Sequence, residues 1–198
     1  MKAVLLDMYG VVLKDSGDSF YPYVNRTFPD LTPRDIYRHW DRADVGEITS
    51  HEVFRLLGYT GDIAAIERTY LDTIEINDSF YAFAEEARRH GKLALVSNDS
   101  SEWSRYLRTR FGINDCFDVI TVSGDLKIKK PDPRIFIHTL ERLGCNAADC
   151  VYVDDRRYNL AAAQALGMDA VLFNSRGVDY DCKAVHSFEE LGRLLFQT

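Results

Sequence analysis

Cysteine is scarce in this chain: four in 198 residues, at Cys116, Cys145, Cys150 and Cys182. They form no CxxC pair and no metal-ligand spacing, so neither a cysteine metal centre nor a disulfide framework is indicated. Such thiols suit a reduced, cytoplasmic setting. A basic stripe is also lacking. The net charge is −7 and the pI about 5.2, which argues against nucleic acid or an anionic membrane surface as the main partner. The longest apolar runs are of strand length, far short of a membrane span. The first of them ends at Asp7, too early for the apolar region of a signal peptide. No internal repeat or low-complexity tract appears. A chain of this length, 46% hydrophobic, fits one domain or a core with a small insert.

What is present begins with the first thirteen residues. Ala3 to Leu6 is a short apolar run that stops at Asp7, with Gly10 close behind. That pattern suits a fully buried strand. Gly10 lets the backbone turn away without a Cβ in the path. A carboxylate at such a strand end can act as nucleophile or metal ligand, or simply cap the next turn. Three later strands end in the same way. Leu93–Val96 runs into Ser97-Asn98-Asp99. Asp118–Val122 is followed, after a loop, by Lys130-Pro131-Asp132-Pro133. Cys150–Val153 runs into Asp154-Asp155, with Asn159 opening a helix. Taken singly, these are an ordinary turn, a solvated lysine loop and a helix cap. Taken together they put acids, a hydroxyl and an ammonium at strand ends, where open parallel sheets bind ligands.

Asp7, then Ser97, then Lys130, then Asp154-Asp155, in that order, resembles the haloacid dehalogenase-like hydrolases, over residue 1 to about residue 174. The resemblance implies an α/β fold, a Rossmann-like parallel sheet with helices on both faces plus a small α-helical cap. It assigns catalytic roles to Asp7, Tyr9, Ser97 and Lys130. It assigns substrate binding to Ser97, Asn98 and Lys130, with a small phosphorylated molecule as the partner. It also implies Mg²⁺, held by Asp7, Asp155, Asp154 and the backbone carbonyl of Tyr9. Physical chemistry agrees with each role. A carboxylate can attack phosphorus, Mg²⁺ prefers oxygen ligands, and a lysine is a point positive charge. A monomer or a homodimer fits equally.

Between Leu13 and residue 84 the strand–helix rhythm pauses. Asp18-Ser19 can open a helix through Phe20, Tyr23 and Val24 that stops before Pro29. Thr32-Pro33-Arg34-Asp35 is an N-terminal signal. Ser50 is expected to cap a third helix ending near Gly58, and Asp62 a fourth. The expected division is therefore 1–13 and 84–198 as the α/β core and 14–83 as a helical cap. The stretch Val45–Ser50 resembles the cap of the subgroup with sugar-1-phosphate phosphatases and the epoxide hydrolase N-terminal phosphatase domain. Phe20, Tyr21, Tyr23, Phe28, Tyr37 and Trp40 are expected to be packing core rather than a ligand box. Arg26, Arg34, Arg38 and Arg42 are expected on solvated faces.

After residue 78 the expected elements are a helix ended by Gly91, the strand Leu93–Val96, and a helix over Ser101–Phe111. A helix over Pro133–Leu143, another over Leu160–Leu166, the strand Asp169–Phe173, the pair Ala184-Val185 and a last helix near Glu189–Phe196 follow. Alternation of this kind implies a parallel sheet with right-handed crossovers.

The chain departs from the resemblance in two places. Phosphatases of the superfamily usually carry a second Asp two residues after the nucleophile, and here that position is Tyr9; Val11 replaces a usual Thr. A phenol can donate a proton but is a poor base near neutral pH. Three functions compete. The first is a Mg²⁺-dependent phosphatase acting through an aspartyl-phosphate. The second is a metal-independent L-2-haloacid dehalogenase, which Asp-x-Tyr-Gly resembles. The third is a phospho-ligand binder with little or no turnover. Asp154-Asp155 favours the phosphatase, because extra carboxylates with no cation would repel Asp7 and a carboxylate substrate.

Overall fold

The structure is a computed structural model and describes residues 1–15, 17–180 and 183–197; Cys182 lies outside the described residues. Six parallel strands form one sheet: β1 Ala3–Leu6, β2 Lys92–Ser97, β3 Val119–Val122, β4 Cys150–Asp154, β5 Asp169–Phe173 and β6 Ala184–Val185. Their order is β3-β2-β1-β4-β5-β6. The chain builds outward from β1 on one side, then returns to build on the other. Ligands of such sheets sit at the carboxyl edge where the order reverses, here beside β1 and β4.

Alternation along each strand sorts side chains to two faces. Val4, Leu6, Leu93, Leu95, Val151 and Val153 join one core cluster, and Ala3, Leu5, Ala94, Val96 and Tyr152 the other. Helix α5 (Phe80–His90) packs on β2, and α10 (Phe188–Phe196) packs on α5. Helix α8 (Pro133–Leu143) packs on β2 and β3, and α9 (Arg157–Ala165) on β4 and β5. Helices thus cover both faces, and the strands read as continuous apolar runs because neither face meets water. Leu95, fully buried, belongs to the class whose truncation to Ala costs about 2–5 kcal/mol.

Four helices lie between β1 and α5: α1 Phe20–Thr27, α2 Pro33–Asp44, α3 Ser50–Leu56 and α4 Ile63–Leu71. Helix α5 begins at Phe80, four residues before the expected division at residue 84. Two starts carry capping boxes, Thr32 with Asp35 and Thr49 with Glu52. Each satisfies orphan backbone donors reciprocally. Thr49, not Ser50, therefore caps α3; Glu52 stands three residues after Thr49, which decides it. Helix α9 begins at Arg157 rather than Leu160, with Asn159 its third residue. Its start is drawn back because Asp154 Oδ1 accepts from the Arg156 backbone N–H at 2.7 Å.

The four-helix segment leaves and rejoins the sheet by two strands of chain lying side by side. Lys14 N–H donates to Glu75 O at 2.9 Å and Asn77 N–H to Val12 O at 2.8 Å. Against the rest of the molecule the segment packs through rings and glycines. Trp40 and Trp103 have centroids 4.2 Å apart. Trp103 belongs to α6 (Ser101–Arg110), which follows β2. Gly46 sits at φ +63°, and a Cβ there would lie 2.2 Å from the carbonyl oxygen of Gly124. Gly124 belongs to α7 (Ser123–Leu126), a short turn of helix with no apolar period to announce it.

Candidate active site

The register of β1 against β4 pairs Leu6 with Val153. The next residues, Asp7 and Asp154, therefore emerge side by side, and Asp7 N–H donates to Val153 O at 2.9 Å. Lys130 arrives from the loop between α7 and α8. Its Nζ lies 2.6 Å from Asp7 Oδ1 and 3.0 Å from Asp154 Oδ2, and donates to Val96 O at 2.9 Å. All three side chains are buried. The loop is fixed by a paired hydrogen bond: Asn98 Nδ2 donates to Lys130 O at 2.9 Å, and Lys130 N–H to Asn98 Oδ1 at 2.8 Å.

Asp154 is held on every side. Besides Lys130 and the Arg156 amide, it accepts from Asn159 Nδ2 at 3.0 Å and from the Tyr152 hydroxyl. Asp155 is different. It is buried, and its Oδ2 has no hydrogen-bond partner, although Arg156 Nε approaches to 3.4 Å. Gly10, at φ +76°, passes so close that a Cβ would lie 2.8 Å from Asp155 Oδ2. Oxygens of Asp7, Asp154 and Asp155 lie within 4.8 Å of one another. Three buried carboxylates thus stand against the Lys130 ammonium and a guanidinium, Arg156, that is shared with Asp18, which leaves excess negative charge. This all-oxygen donor set, with one oxygen unpartnered, fits a hard divalent cation.

The electrostatics point the same way. Burial raises the Asp7 carboxyl well above its ordinary range, and the neighbouring Asp154 adds to that. Burial and then Asp154 push Asp155 up to about 6. Burial works against the charge on Lys130, but Asp154 and Asp7 outweigh it and raise its pKa. The two acids thus favour the ammonium form of Lys130, while the carboxylates are short of positive charge.

The expected residues stand as follows. Asp7, Lys130, Asp154 and Asp155 converge. Asn98 lines the same cavity. Ser97 is fully buried at the end of β2, and its Oγ has no hydrogen-bond partner. Tyr9 lines the cavity and its hydroxyl donates to Asp99 Oδ2 at 3.2 Å. Asp99 has no role in the sequence pattern, yet it is buried. Burial, with Asp44 next, holds its carboxyl well above the usual range. Lys129 was an undistinguished loop lysine. Here it pairs with Asp41 at 2.6 Å and Asp44 at 3.3 Å, tying α2 to the loop that carries Lys130. Carboxylates in the last turn of a helix, as Asp41 and Asp44 are in α2, give no sign of such a partner in sequence.

Asp7, Asn98, Lys130 and Asp155 form the floor of a cavity of about 570 Å³, with Ser97 and Asp154 fully buried behind it. Its wall carries the rings of Tyr9, Phe20, Tyr37, Trp40, Tyr70, Trp103 and Tyr158, with the carboxylates of Asp18, Asp41 and Asp44 among them. The expectation that the rings of the helical segment are packing core therefore holds for Tyr21, Tyr23 and Phe28, which pack against the core cluster. It fails in part for Phe20, Tyr37 and Trp40, which also face the cavity, because two helix faces meet over the sheet edge. Arg26, Arg34, Arg38 and Arg42 are exposed, as expected.

Comparison with known proteins agrees with this geometry. A family model described as haloacid dehalogenase-like hydrolase matches residues 1–167. A sesquiterpene phosphatase of Aspergillus oryzae is 26% identical over 84% of this chain and 87% of its own length. A drimenol cyclase of Aspergillus calidoustus is 24% identical over 89% of this chain but 34% of its own length. A phosphoglycolate phosphatase of Yersinia pestis is 30% identical over 52% of this chain and 46% of its own length. The chain thus spans less than half of two of these three relatives. Among solved structures, the magnesium complex of a haloacid dehalogenase family enzyme from Bacteroides thetaiotaomicron superposes with TM-score 0.80, at 20% identity over 98% of both chains. At that identity the likeness is one of fold. Among the described residues no helix is long and apolar enough to cross a membrane.

Proposed function

The chain belongs to the haloacid dehalogenase-like hydrolase family, and on that footing we propose that it is a phosphatase acting on a small phosphate monoester through an aspartyl-phosphate. The observation that carries this reading is the convergence of Asp7, Lys130, Asp154 and Asp155 at one sheet edge. Asp7 attacks the phosphorus, and the bond to the ester oxygen breaks. The departing oxygen takes up a proton from a water molecule in the cavity, because the Tyr9 O–H is already given to Asp99 and burial raises its pKa. Water then attacks the phosphorus of the aspartyl-phosphate, freeing Asp7 and inorganic phosphate. Lys130 offsets charge on Asp7 and on the transferring group from a dry, fixed position. Ser97, Asn98 and backbone amides beyond them would hold the phosphoryl oxygens. Asp7, Asp155, Asp154 and the backbone carbonyl of Tyr9 would hold Mg²⁺, which supplies charge neutralisation for a dianion beside three carboxylates.

The four-helix segment, residues 14–83, serves in this reading as the cap over the floor. The dehalogenase alternative is weaker. Its substrate is itself a carboxylate, and three buried acids without a cation would repel it. A phosphate-release assay across a panel of monoesters, with Mg²⁺ and with excess chelator, tests the proposal. Phosphate release that disappears with chelator and returns with Mg²⁺ is the expected result. Full activity in chelator would remove the metal, and halide release from 2-haloacids without phosphate release would replace the phosphatase.

A further inference from the structure

The wall of the cavity says what the floor does not: the nature of the alcohol half of the ester. Charge is the first consideration. The basic side chains at the cavity are all engaged by acids. Lys130 sits between Asp7 and Asp154, and Lys129 between Asp41 and Asp44. Arg156 faces Asp155 and Asp18 at 3.4 and 3.3 Å. The carboxylates of Asp18, Asp41, Asp44 and Asp99 also face the cavity. A substrate with a second anionic group would meet this acidic rim without a cation reserved for it, and like charges in a partly buried site are costly.

The second consideration is hydrogen bonding. Three donors of the wall already have partners. Tyr9 O–H donates to Asp99 and Tyr70 O–H to Asp15, each at 3.2 Å, and Trp103 Nε1–H to Glu67 at 3.2 Å. What these side chains leave to a ligand is ring surface. Phe20, Trp40, Tyr70 and Trp103 form one cluster of rings, tilted or edge-on to one another, with centroids 4.2 to 5.3 Å apart. Phe20, Tyr70 and Trp103 are all but buried, so the apolar area open to a ligand comes mainly from the half-buried rings of Tyr37 and Trp40, with Trp40 held rigid by that cluster. A cavity of about 570 Å³ also lies within the range typical of small-molecule sites.

Resting on the phosphatase reading, we propose that the preferred substrate is the monophosphate of an uncharged hydrocarbon alcohol, of isoprenyl type, and not an ester carrying a second anion. The phosphate lies on the floor with Lys130, and the hydrocarbon chain lies along the rings of Tyr37 and Trp40. No cation is left over for a carboxylate at the far end.

The test compares kcat/KM in Mg²⁺ for geranyl monophosphate, fructose 1-phosphate and phosphoglycolate, with p-nitrophenyl phosphate as a general reporter of phosphatase chemistry. Geranyl monophosphate is expected to exceed phosphoglycolate by about a hundredfold and fructose 1-phosphate by about tenfold, gaps that 1.4 kcal/mol per tenfold allows for burial of a few methyl groups. Trp40→Ala is expected to raise KM for geranyl monophosphate about tenfold; Tyr37→Leu, at a half-buried ring, is the second variant should the first not fold. Equal or better turnover of phosphoglycolate or fructose 1-phosphate, with p-nitrophenyl phosphate hydrolysed, would overturn the substrate assignment alone. Failure to release phosphate from any of the four would overturn the phosphatase reading and the assignment with it.

Discussion

The floor of the cavity is held by strand register, whereas its wall is held by helices packed ring against ring. On the floor, Asp7 and Asp154 are neighbours because Leu6 and Val153 are paired. Their separation cannot change without a slip in the sheet, and a slip would turn every core side chain to the wrong face. On the wall, α2 and α6 meet through the rings of Trp40 and Trp103, and side-chain contacts of this kind slide and repack more readily. The floor is therefore suited to chemistry that tolerates no displacement. The wall is suited to choosing what enters, since it can change without disturbing the reacting groups.

The sharpest way to probe that contrast is to remove a group from each in turn. Asp7→Asn should abolish turnover, by on the order of 10³-fold or more, and should prevent any covalent phosphoryl-enzyme, while leaving the fold intact. Acid-quench trapping with labelled substrate measures it, and near-normal activity would show that Asp7 is not the nucleophile. Lys130→Met should cost stability as well as activity. It leaves Asp7 and Asp154 buried beside each other without their ammonium, a class of change worth about 3–5 kcal/mol. Urea unfolding would register it, and a variant as stable as the parent would mean that the carboxylates are neutral without Lys130.

At the seam between the two regions, Gly46→Ala should destabilise by about 1–3 kcal/mol. The left-handed backbone and the Gly124 carbonyl both oppose a Cβ there. Activity should fall with it if the helical segment must sit down on the floor. Unchanged melting temperature and kinetics would show that the contact is slack.

An effect of similar size, but seen only on acidification, concerns Asp44, on the wall side. Its carboxyl is raised from 3.8 to about 6, chiefly by burial and against the pull of Lys129. Because it binds its proton more readily folded than unfolded, its ionised form opposes folding. Its contribution should improve as the pH falls from about 6 to 4 and be absent as a gain above that window. Wild type should therefore gain on Asp44→Asn by about 1–3 kcal/mol on acidification, read as the difference between two pH–stability curves. Parallel curves would mean that Asp44 titrates normally.

Much of this protein was legible before its fold. Helix α8, from Pro133 to Leu143, and strand β5, from Asp169 to Phe173, lie where local pattern puts them, because proline, glycine and an apolar period mark their ends. Asp7, Lys130 and the Asp154-Asp155 pair stand out because each ends an apolar run or sits beside prolines. The start of α3 shifts by one residue to Thr49, since a reciprocal cap with Glu52 outcompetes a lone serine. Asp99, Asp44 and Lys129 carried no such mark. Their importance comes from partners 90, 85 and 88 positions away. The rings of α1 and α2 read as core because periodicity reports which face is apolar, not what lies opposite.

Local pattern by itself determined the strands, most of the helices and the acids at the strand ends, because those depend on neighbours within a few residues. Only the tertiary structure decided that Asp7 and Asp154 share the Lys130 ammonium with Asp155 alongside, that one oxygen of Asp155 accepts no hydrogen bond, and that aromatic rings line the cavity above them. Those facts depend on strand register and helix docking, which bring together residues whose separation along the chain carries no information about their distance in space.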